Sequence, residues 1–431
     1  MMKKIIFILI LATLATLLFV VYYPHKKENI IQAQAEVPKE PVAAVDPTLL
    51  QLKGMSLDEK IGQLLIIGFM NKYPDSHIKK MITQYHIGGV NLLGRNVKDE
   101  PQVKKLISDL QDISKTPLFI GVDQEGGTVV RFKFLKELQP QLKITSTIEA
   151  EKIAFDRAVE LRDLGVNMNF SPVVDYVSNN KSYLYKRTFG RNADETGELG
   201  SAMVDGYFKG GVIAVVKHFP GYGNVVLNPH TDESVLPIER GEFENNLIPF
   251  KKALANKNTQ AVMTAHIVIP EIDSKPATLS YKFMTEILRQ ELGFDGVVIT
   301  DDIEMVSAGS SVEDIAVKAI QAGGDMIIAS STSAKTIAIF NRLKKAVLDK
   351  EISEERLNQS VLRILKLKAS LVGEPEEGSP ITSAGAFLPR FTRTEKPFSP
   401  LTQAKQFACF PEPEEGIEPT TSNLQNWRST N

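Results

Sequence analysis

Lys217-His218-Phe219-Pro220-Gly221-Tyr222-Gly223, with His230 shortly after, gathers a cation, two imidazoles and a glycine-hinged turn in one short span. Such a set can move protons near neutral pH, because imidazole titrates there. The stretch ends an apolar run, Val212-Ile213-Ala214-Val215-Val216, that reads as a buried strand. Other polar clusters follow apolar runs in the same way. They are Asp123-Gln124-Glu125-Gly126-Gly127 with Arg131, then Ser171-Pro172 with Asp175, then His266, and last Asp301-Asp302. A lone Asp after a strand is commonly a helix cap or a loop carboxylate. Five clusters in the same position relative to five strands instead point to one shared rim.

The elements that would position these groups alternate along the chain. Candidate strands are Leu64–Phe69, Gly89–Leu93, Leu118–Val122, Val166–Phe170, Val212–Val216, Ala261–Thr264, Val297–Thr300 and Met326–Ala329. Amphipathic patterns over Glu151–Asp163, Met284–Glu291, Val312–Gln321, Lys335–Leu348 and Glu354–Leu371 predict helices between and after them. Ser56-Leu57-Asp58-Glu59 has the form of a capping box opening the first helix. Eight strands alternating with helices predict an α/β protein of the TIM-type (β/α)8 barrel class, with an open doubly wound sheet as the alternative.

Composition narrows the partners. The chain has 431 residues, 43% of them hydrophobic, and a formal net charge of -2, so it can bury a large core and has no basic excess suited to nucleic acid. Its one cysteine, Cys409, excludes an internal disulfide and a cysteine metal site. His218, His230 and His266 with Asp301 lack the close spacing of a zinc motif, so no metal and no cofactor are expected.

The ends of the chain differ from its middle. Lys3-Lys4 precede an uncharged apolar segment, residues 5–23, long enough to cross a bilayer. It is expected to be an uncleaved membrane anchor or, with Ala33-Gln34-Ala35 resembling a cleavage site, a signal peptide. Either way the body is expected to be exported, anchored to the cytoplasmic membrane facing outward or released as a secreted or periplasmic protein. Residues 24–46 read as a flexible spacer, 47–372 as the barrel, and 373–431 as a disordered tail rich in Pro, Glu, Ser and Thr. A monomer is expected.

Several motifs together resemble the family 3 glycoside hydrolases, in particular their single-domain β-N-acetylhexosaminidase branch. They are Val122-Asp123-Gln124-Glu125-Gly126-Gly127, Asn169-Phe170-Ser171-Pro172-Val173-Val174-Asp175, Arg187-Thr188-Phe189-Gly190, Lys217-His218-Phe219-Pro220-Gly221, and Gly293-Phe294-Asp295-Gly296-Val297-Val298 with Thr300-Asp301-Asp302. The resemblance covers roughly residues 48–371. It implies a carbohydrate substrate and a retaining glycosidase that removes terminal β-N-acetylglucosamine through a covalent glycosyl-enzyme intermediate. Asp301 matches the nucleophile, and His230 matches a loop histidine that acts as acid/base. By the same resemblance Asp123 accepts hydrogen bonds from sugar hydroxyls, and Arg131, Arg187, Lys217 and His218 donate to hydroxyl oxygens. His266 either contacts sugar or fills the barrel mouth. Asp302 is expected to be a structural partner, since neighbouring strand residues point to opposite sides.

One stretch departs from the family pattern. The loop usually reads Gly-His-Gly and then Asp-Ser-His, whereas this chain has Gly221-Tyr222-Gly223 and Asn228-Pro229-His230. Asn228 can orient an imidazole but supplies no charge to stabilise its protonated form. Asp232 or Glu233 could replace the missing carboxylate. The rival readings are a β-glucosidase or glycoside phosphorylase on the same fold, and a glycan-binding protein with weakened catalysis.

Overall fold

A computed structural model describes residues 46–225, 234–305, 310–330 and 333–371. Strands β1 (Leu65–Ile67), β2 (Gly89–Leu92), β3 (Phe119–Val122), β4 (Met168–Asn169), β5 (Ile213–Phe219), β7 (Ala261–Thr264), β9 (Val297–Asp302) and β10 (Met326–Ala329) form a closed barrel. Every neighbouring pair is parallel, and β1 closes the ring by pairing Leu65 with Ile327 of β10 while Ile66 sits opposite Gly89 of β2. The strands are rich in buried Val, Ile, Leu, Met, Ala and Phe because both of their faces are covered, one by the barrel interior and one by helices. Closure settles the choice between barrel and open sheet. A separate parallel ribbon pairs β6 (Ser234–Val235) with β8 (Ile267–Val268).

All eight expected strands are present, and two run further than their apolar residues suggested. Strand β5 continues to Phe219 because the segment after β4 lies along it. There Val215 N–H donates to Ser171 O at 3.1 Å, Lys217 N–H to Pro172 O at 3.0 Å, and Val174 N–H to Lys217 O at 2.8 Å. Strand β9 continues to Asp302, which pairs with Ile328. Polar residues can therefore extend a strand where a neighbouring backbone satisfies their N–H and C=O groups.

Helices α1 (Pro47–Gly54), α2 (Leu57–Gln63), α3 (Ser76–Thr83), α4 (Glu100–Asp112), α5 (Thr147–Asp163), α6 (Ala193–Lys209), α7 (Arg240–Ala255), α8 (Lys282–Glu291, with π-type spacing), α9 (Val312–Ala322), α10 (Ser333–Leu348) and α11 (Glu354–Ser370) surround the barrel. The capping box is formed: Glu59 N–H donates to Ser56 Oγ at 3.3 Å and Ser56 N–H to Glu59 Oε2 at 2.8 Å. Similar Ser, Asp or Asn caps start α1, α3, α4, α5, α6, α9 and α11.

The bottom of the barrel is tied by polar groups. Asp325, fully buried, accepts Arg289 Nη2 at 2.5 Å and Ser360 Oγ at 2.7 Å. Lys368 donates to Gln63 Oε1 at 2.6 Å and lies 5.0 Å over the Phe119 ring. Residues 1–45 and 372–431, which carry the expected anchor or signal, nearly all of the spacer, and the tail, lie outside the described residues. Among the described residues no helix is long and apolar enough to cross a membrane.

Candidate active site

The C-terminal ends of the barrel strands carry a continuous network of charge and hydrogen bonds. Its centre is Lys217, on β5, with only 1% of its side chain exposed. The ammonium lies 2.8 Å from Asp123 Oδ1 and 2.6 Å from Glu125 Oε1, both just beyond β3. Arg187, from the loop after β4, forks onto Glu125, with Nε at 2.9 Å from Oε2 and Nη2 at 2.7 Å from Oε1. Arg131 Nη2 reaches Asp123 Oδ2 at 3.4 Å, and Arg131 Nε is buried with no hydrogen-bond partner among the described residues. A buried cation needs this much compensation, since removing it from water costs several kcal/mol, on the order given for buried ions.

Local backbone geometry delivers these carboxylates. Gly126 has φ +87°, and a Cβ there would sit 2.3 Å from Gln139 O, so only glycine fits the turn that follows Glu125. Asn169 at the end of β4 accepts Gln124 N–H at 3.0 Å and returns its amide to Gln124 O at 3.0 Å. Gln124 Oε1 in turn accepts the N–H groups of Arg131 and Phe132 at 2.9 and 3.0 Å. Arg157 of α5, fully buried, caps Glu125 O at 2.8 Å from beneath.

The network continues around the rim through His218. Its Nδ1 lies 2.8 Å from Asp175 Oδ2, and its Nε2 lies 3.4 Å from Arg187 Nη2. Asp175, fully buried, also accepts His218 N–H at 3.0 Å and Tyr222 N–H at 2.8 Å. The Tyr222 hydroxyl, buried beneath the rim, accepts His266 N–H at 3.1 Å. His266 Nε2 donates to Asp302 O at 2.9 Å, and Nδ1 faces the Thr278 hydroxyl at 2.9 Å. Both His266 ring nitrogens are thus taken up within the protein, which makes His266 a residue that fills the barrel mouth.

Asp301 and Asp302 diverge, as expected for neighbours in a strand. Asp301 Oδ1 accepts Asp302 N–H at 2.8 Å, while Asp302 accepts Glu304 N–H at 3.1 Å and Ser330 N–H at 3.2 Å. Burial pushes Asp301 up, but His266, the Asp302 N–H and Lys217 are among the groups that override it and hold the carboxyl below the usual range. For Asp302 burial wins with help from the Asp301 charge, and its carboxyl is raised. Two adjacent carboxyls are thereby pushed apart, one below and one above the usual carboxylate value.

The cations act on the β3 carboxylates in the same way. Burial would raise Asp123 and Glu125, yet Lys217 and Arg131 hold Asp123 far below its usual value, and Arg187 and Lys217 hold Glu125 at about 2. Burial lowers Lys217, but its two carboxylates more than reverse this and raise it. An ionised carboxylate at the end of a barrel strand, on the same rim as fixed cations, can attack an electrophilic carbon of a hydroxyl-rich ligand.

Of the residues singled out from sequence, the structure brings Asp123, Arg131, Arg187, Lys217, His218, His266 and Asp301 onto one rim. Asn228, His230, Asp232 and Glu233 lie outside the described residues. The flanks of their segment are pinned. Asn224 Oδ1 accepts Ser178 N–H and Asn179 N–H at 2.9 Å each, Ser182 Oγ donates to Val225 O at 2.7 Å, and Leu236 N–H donates to Val268 O at 2.8 Å. Glu125 and Tyr222 were quoted in sequence motifs without a role, and Asp175 only as a rim carboxylate. No cluster of three or more metal-binding side chains occurs among the described residues.

Comparison with known proteins places this rim in context. Residues 56–367 match the glycosyl hydrolase family 3 N terminal domain. Beta-hexosaminidase A of Pseudoalteromonas piscicida is 30% identical over 393 residues, covering 81% of this chain and 63% of that protein. A beta-hexosaminidase of Methylobacillus flagellatus is 32% identical, covering 60% of this chain and 77% of its own length. Among solved structures, a glycoside hydrolase family 3 beta-N-acetylglucosaminidase from a Paenibacillus species superposes with a TM-score of 0.71 at 35% identity, covering 76% of this chain and 65% of that one. A beta-N-acetylhexosaminidase from Beutenbergia cavernae gives a TM-score of 0.69 at 26% identity, covering 73% of this chain and 99% of that one. The chain therefore spans less than two thirds of the Pseudoalteromonas and Paenibacillus proteins.

Proposed function

The chain belongs to the glycosyl hydrolase family 3 N terminal domain family, and on that premise we propose that it is a retaining β-N-acetylhexosaminidase acting on terminal β-linked N-acetylglucosamine. The observation that carries this reading is Asp301, a carboxylate held ionised at the end of β9 on the same rim as the Lys217–Asp123–Glu125–Arg187 cluster. In the proposed reaction Asp301 attacks the anomeric carbon and forms a glycosyl-enzyme ester that water then cleaves. Asp123 accepts sugar hydroxyls while the free donors of Arg131 bind their oxygens. Arg187 and Lys217 fix the carboxylates that do so.

His230 is the proposed acid/base, giving its proton to the leaving oxygen and then taking one from water, with Asn228 as its orienting neighbour. The chemistry needs no metal or cofactor. Residues 47–372 form the proposed catalytic domain. With residues 5–23 as anchor or signal, they would work outside the cytoplasmic membrane on cell-wall fragments, as a monomer.

Release of nitrophenol from its N-acetyl-β-glucosaminide by the full chain tests the proposal. Asp301→Asn is expected to lower kcat by roughly 10⁴-fold or more, the scale seen when a nucleophile is removed. Equal rates in the two would overturn the nucleophile assignment. His230→Ala should also lose activity and Asn228→Asp should gain it. Turnover that depends on added phosphate would point to a phosphorylase, a reaction that tolerates an amide in place of the loop carboxylate.

A further inference from the structure

We propose that Asp175 is a positioning residue that fixes the proton of His218 on Nδ1, so that Nε2 offers a lone pair and the pocket demands a free sugar hydroxyl bridging His218 and Arg187. The inference rests on the reading that this rim binds a sugar, and it names what that sugar must carry.

The argument is one of donors and acceptors. Asp175 is fully buried, and its two oxygens face three nitrogens: His218 N, His218 Nδ1 and Tyr222 N. An ionised carboxylate only accepts, so Nδ1 must carry hydrogen. On the other side of the ring, Nε2 faces Arg187 Nη2 at 3.4 Å. A guanidinium only donates, so Nε2 must present its lone pair. Arg187 cannot turn away, because its Nε and Nη2 are forked onto Glu125. The Tyr222 ring meets the imidazole edge-on at 5.4 Å and closes off another side. The two neighbours thus present an acceptor to Nδ1 and a donor to Nε2, which selects one tautomer.

This polarity differs from that of a histidine donating to a sugar oxygen. At 3.4 Å the Arg187 contact is long for a hydrogen bond, so the lone pair is incompletely satisfied. A hydroxyl placed between the two groups would donate to Nε2 and accept from the second Nη2 hydrogen. A deoxy carbon does neither, and an ether or ester oxygen cannot donate. The pocket therefore discriminates by the presence of a free hydroxyl at one sugar position.

Two measurements on the full-length protein test this. Nitrogen-15 NMR of histidine-labelled protein, with His218 identified by the signals lost in His218→Gln, is expected to show Nδ1 protonated and Nε2 bare at neutral pH. Asp175→Asn should abolish or reverse that pattern, since an amide can turn its NH2 toward Nδ1. In the kinetic arm, the N-acetyl-β-glucosaminide is compared with its 3-, 4- and 6-deoxy forms. One deoxy form should lose roughly tenfold in kcat/KM with the native protein, the cost of one hydrogen bond to a strong partner. That ratio should fall toward one in Asp175→Asn while the other ratios hold. A protonated Nε2 in the native protein, or an Asp175→Asn variant slowed equally on all substrates, would overturn the proposal. Absence of turnover on every glycoside would count against the proposed hydrolase, and the NMR result would still decide the tautomer.

Discussion

Replacing Lys217 by methionine keeps most of the side-chain volume and removes the charge on which the rim is built. Lys217 neutralises two carboxylates at 2.8 and 2.6 Å, and after its loss Glu125 keeps only the Arg187 fork while Asp123 keeps only Arg131 at 3.4 Å. Breaking a buried ion pair by removing one partner costs about 3–5 kcal/mol. With both arginines still in place the low end applies, about 3 kcal/mol, or a folding constant lowered roughly 150-fold. The pH dependence supplies an independent check. Glu125 is held at about 2 against an ordinary 4.5, so its ionised form adds stability that is fully present above pH 4.5 and lost as pH falls through 2. Without Lys217 the carboxyls take up protons at higher pH, which relieves the variant. The stability gap between the two proteins should therefore shrink by at least about 1 kcal/mol between pH 7 and pH 3. Urea unfolding at the two pH values reads both quantities. A gap below about 1 kcal/mol at pH 7, or one that is constant or wider in acid, would refute the claim that Lys217 works by charge compensation.

Lys368 at the barrel bottom is pushed down by burial to about 7, so the folded protein must deprotonate it and native stability should rise between pH 7 and pH 10. Relative to Lys368→Met the slope should be at most about 1.4 kcal/mol per pH unit, because Phe119 and Gln63 still favour the charged form, and denaturant titrations across that range give the value. Gly126→Ala should destabilise by more than about 1 kcal/mol and lower kcat/KM, since its Cβ would meet Gln139 O at 2.3 Å beside Glu125. Thermal unfolding together with nitrophenyl glycoside assays would show whether the two losses travel together.

The barrel was legible because its strands are uninterrupted apolar runs, and such runs occur where both faces of a strand are covered. Closure was not, because alternation of strand and helix is common to barrels and open sheets; it depends on Leu65 meeting Ile327, a contact between distant parts of the chain. Strand ends were misjudged wherever polarity was taken as a stop. Lys217 and Asp301 lie inside β5 and β9, since a neighbouring segment pairs with their backbone and other side chains absorb their charge. The rim residues themselves could be found, because each lies beyond an apolar run of its strand and carries a reactive or charged group.

What escaped the sequence was polarity, meaning which group gives a hydrogen and which accepts it. Lys217 looked like a donor to sugar, yet its ammonium is held between Asp123 and Glu125, which take up two of its three hydrogens. His266 looked equally suited to a ligand, yet Asp302 O and Thr278 use both its nitrogens. No spacing rule reports this, since a residue type fixes its donors and acceptors but not who occupies them. Occupancy is set by the circuit as a whole. Arg131, Asp123, Lys217, Glu125, Arg187, His218, Asp175, Tyr222, His266, Asp302 and Asp301 are joined in turn, each contact leaving its neighbour fewer choices. Among the described residues, the capacities left open along that path include the Nη1 hydrogens of Arg187, the lone pair of His218 Nε2 and the second oxygen of Asp301. A donor, an acceptor and a nucleophile are what a glycosidase pocket must present, and here each is defined by the bonds its neighbours have already made.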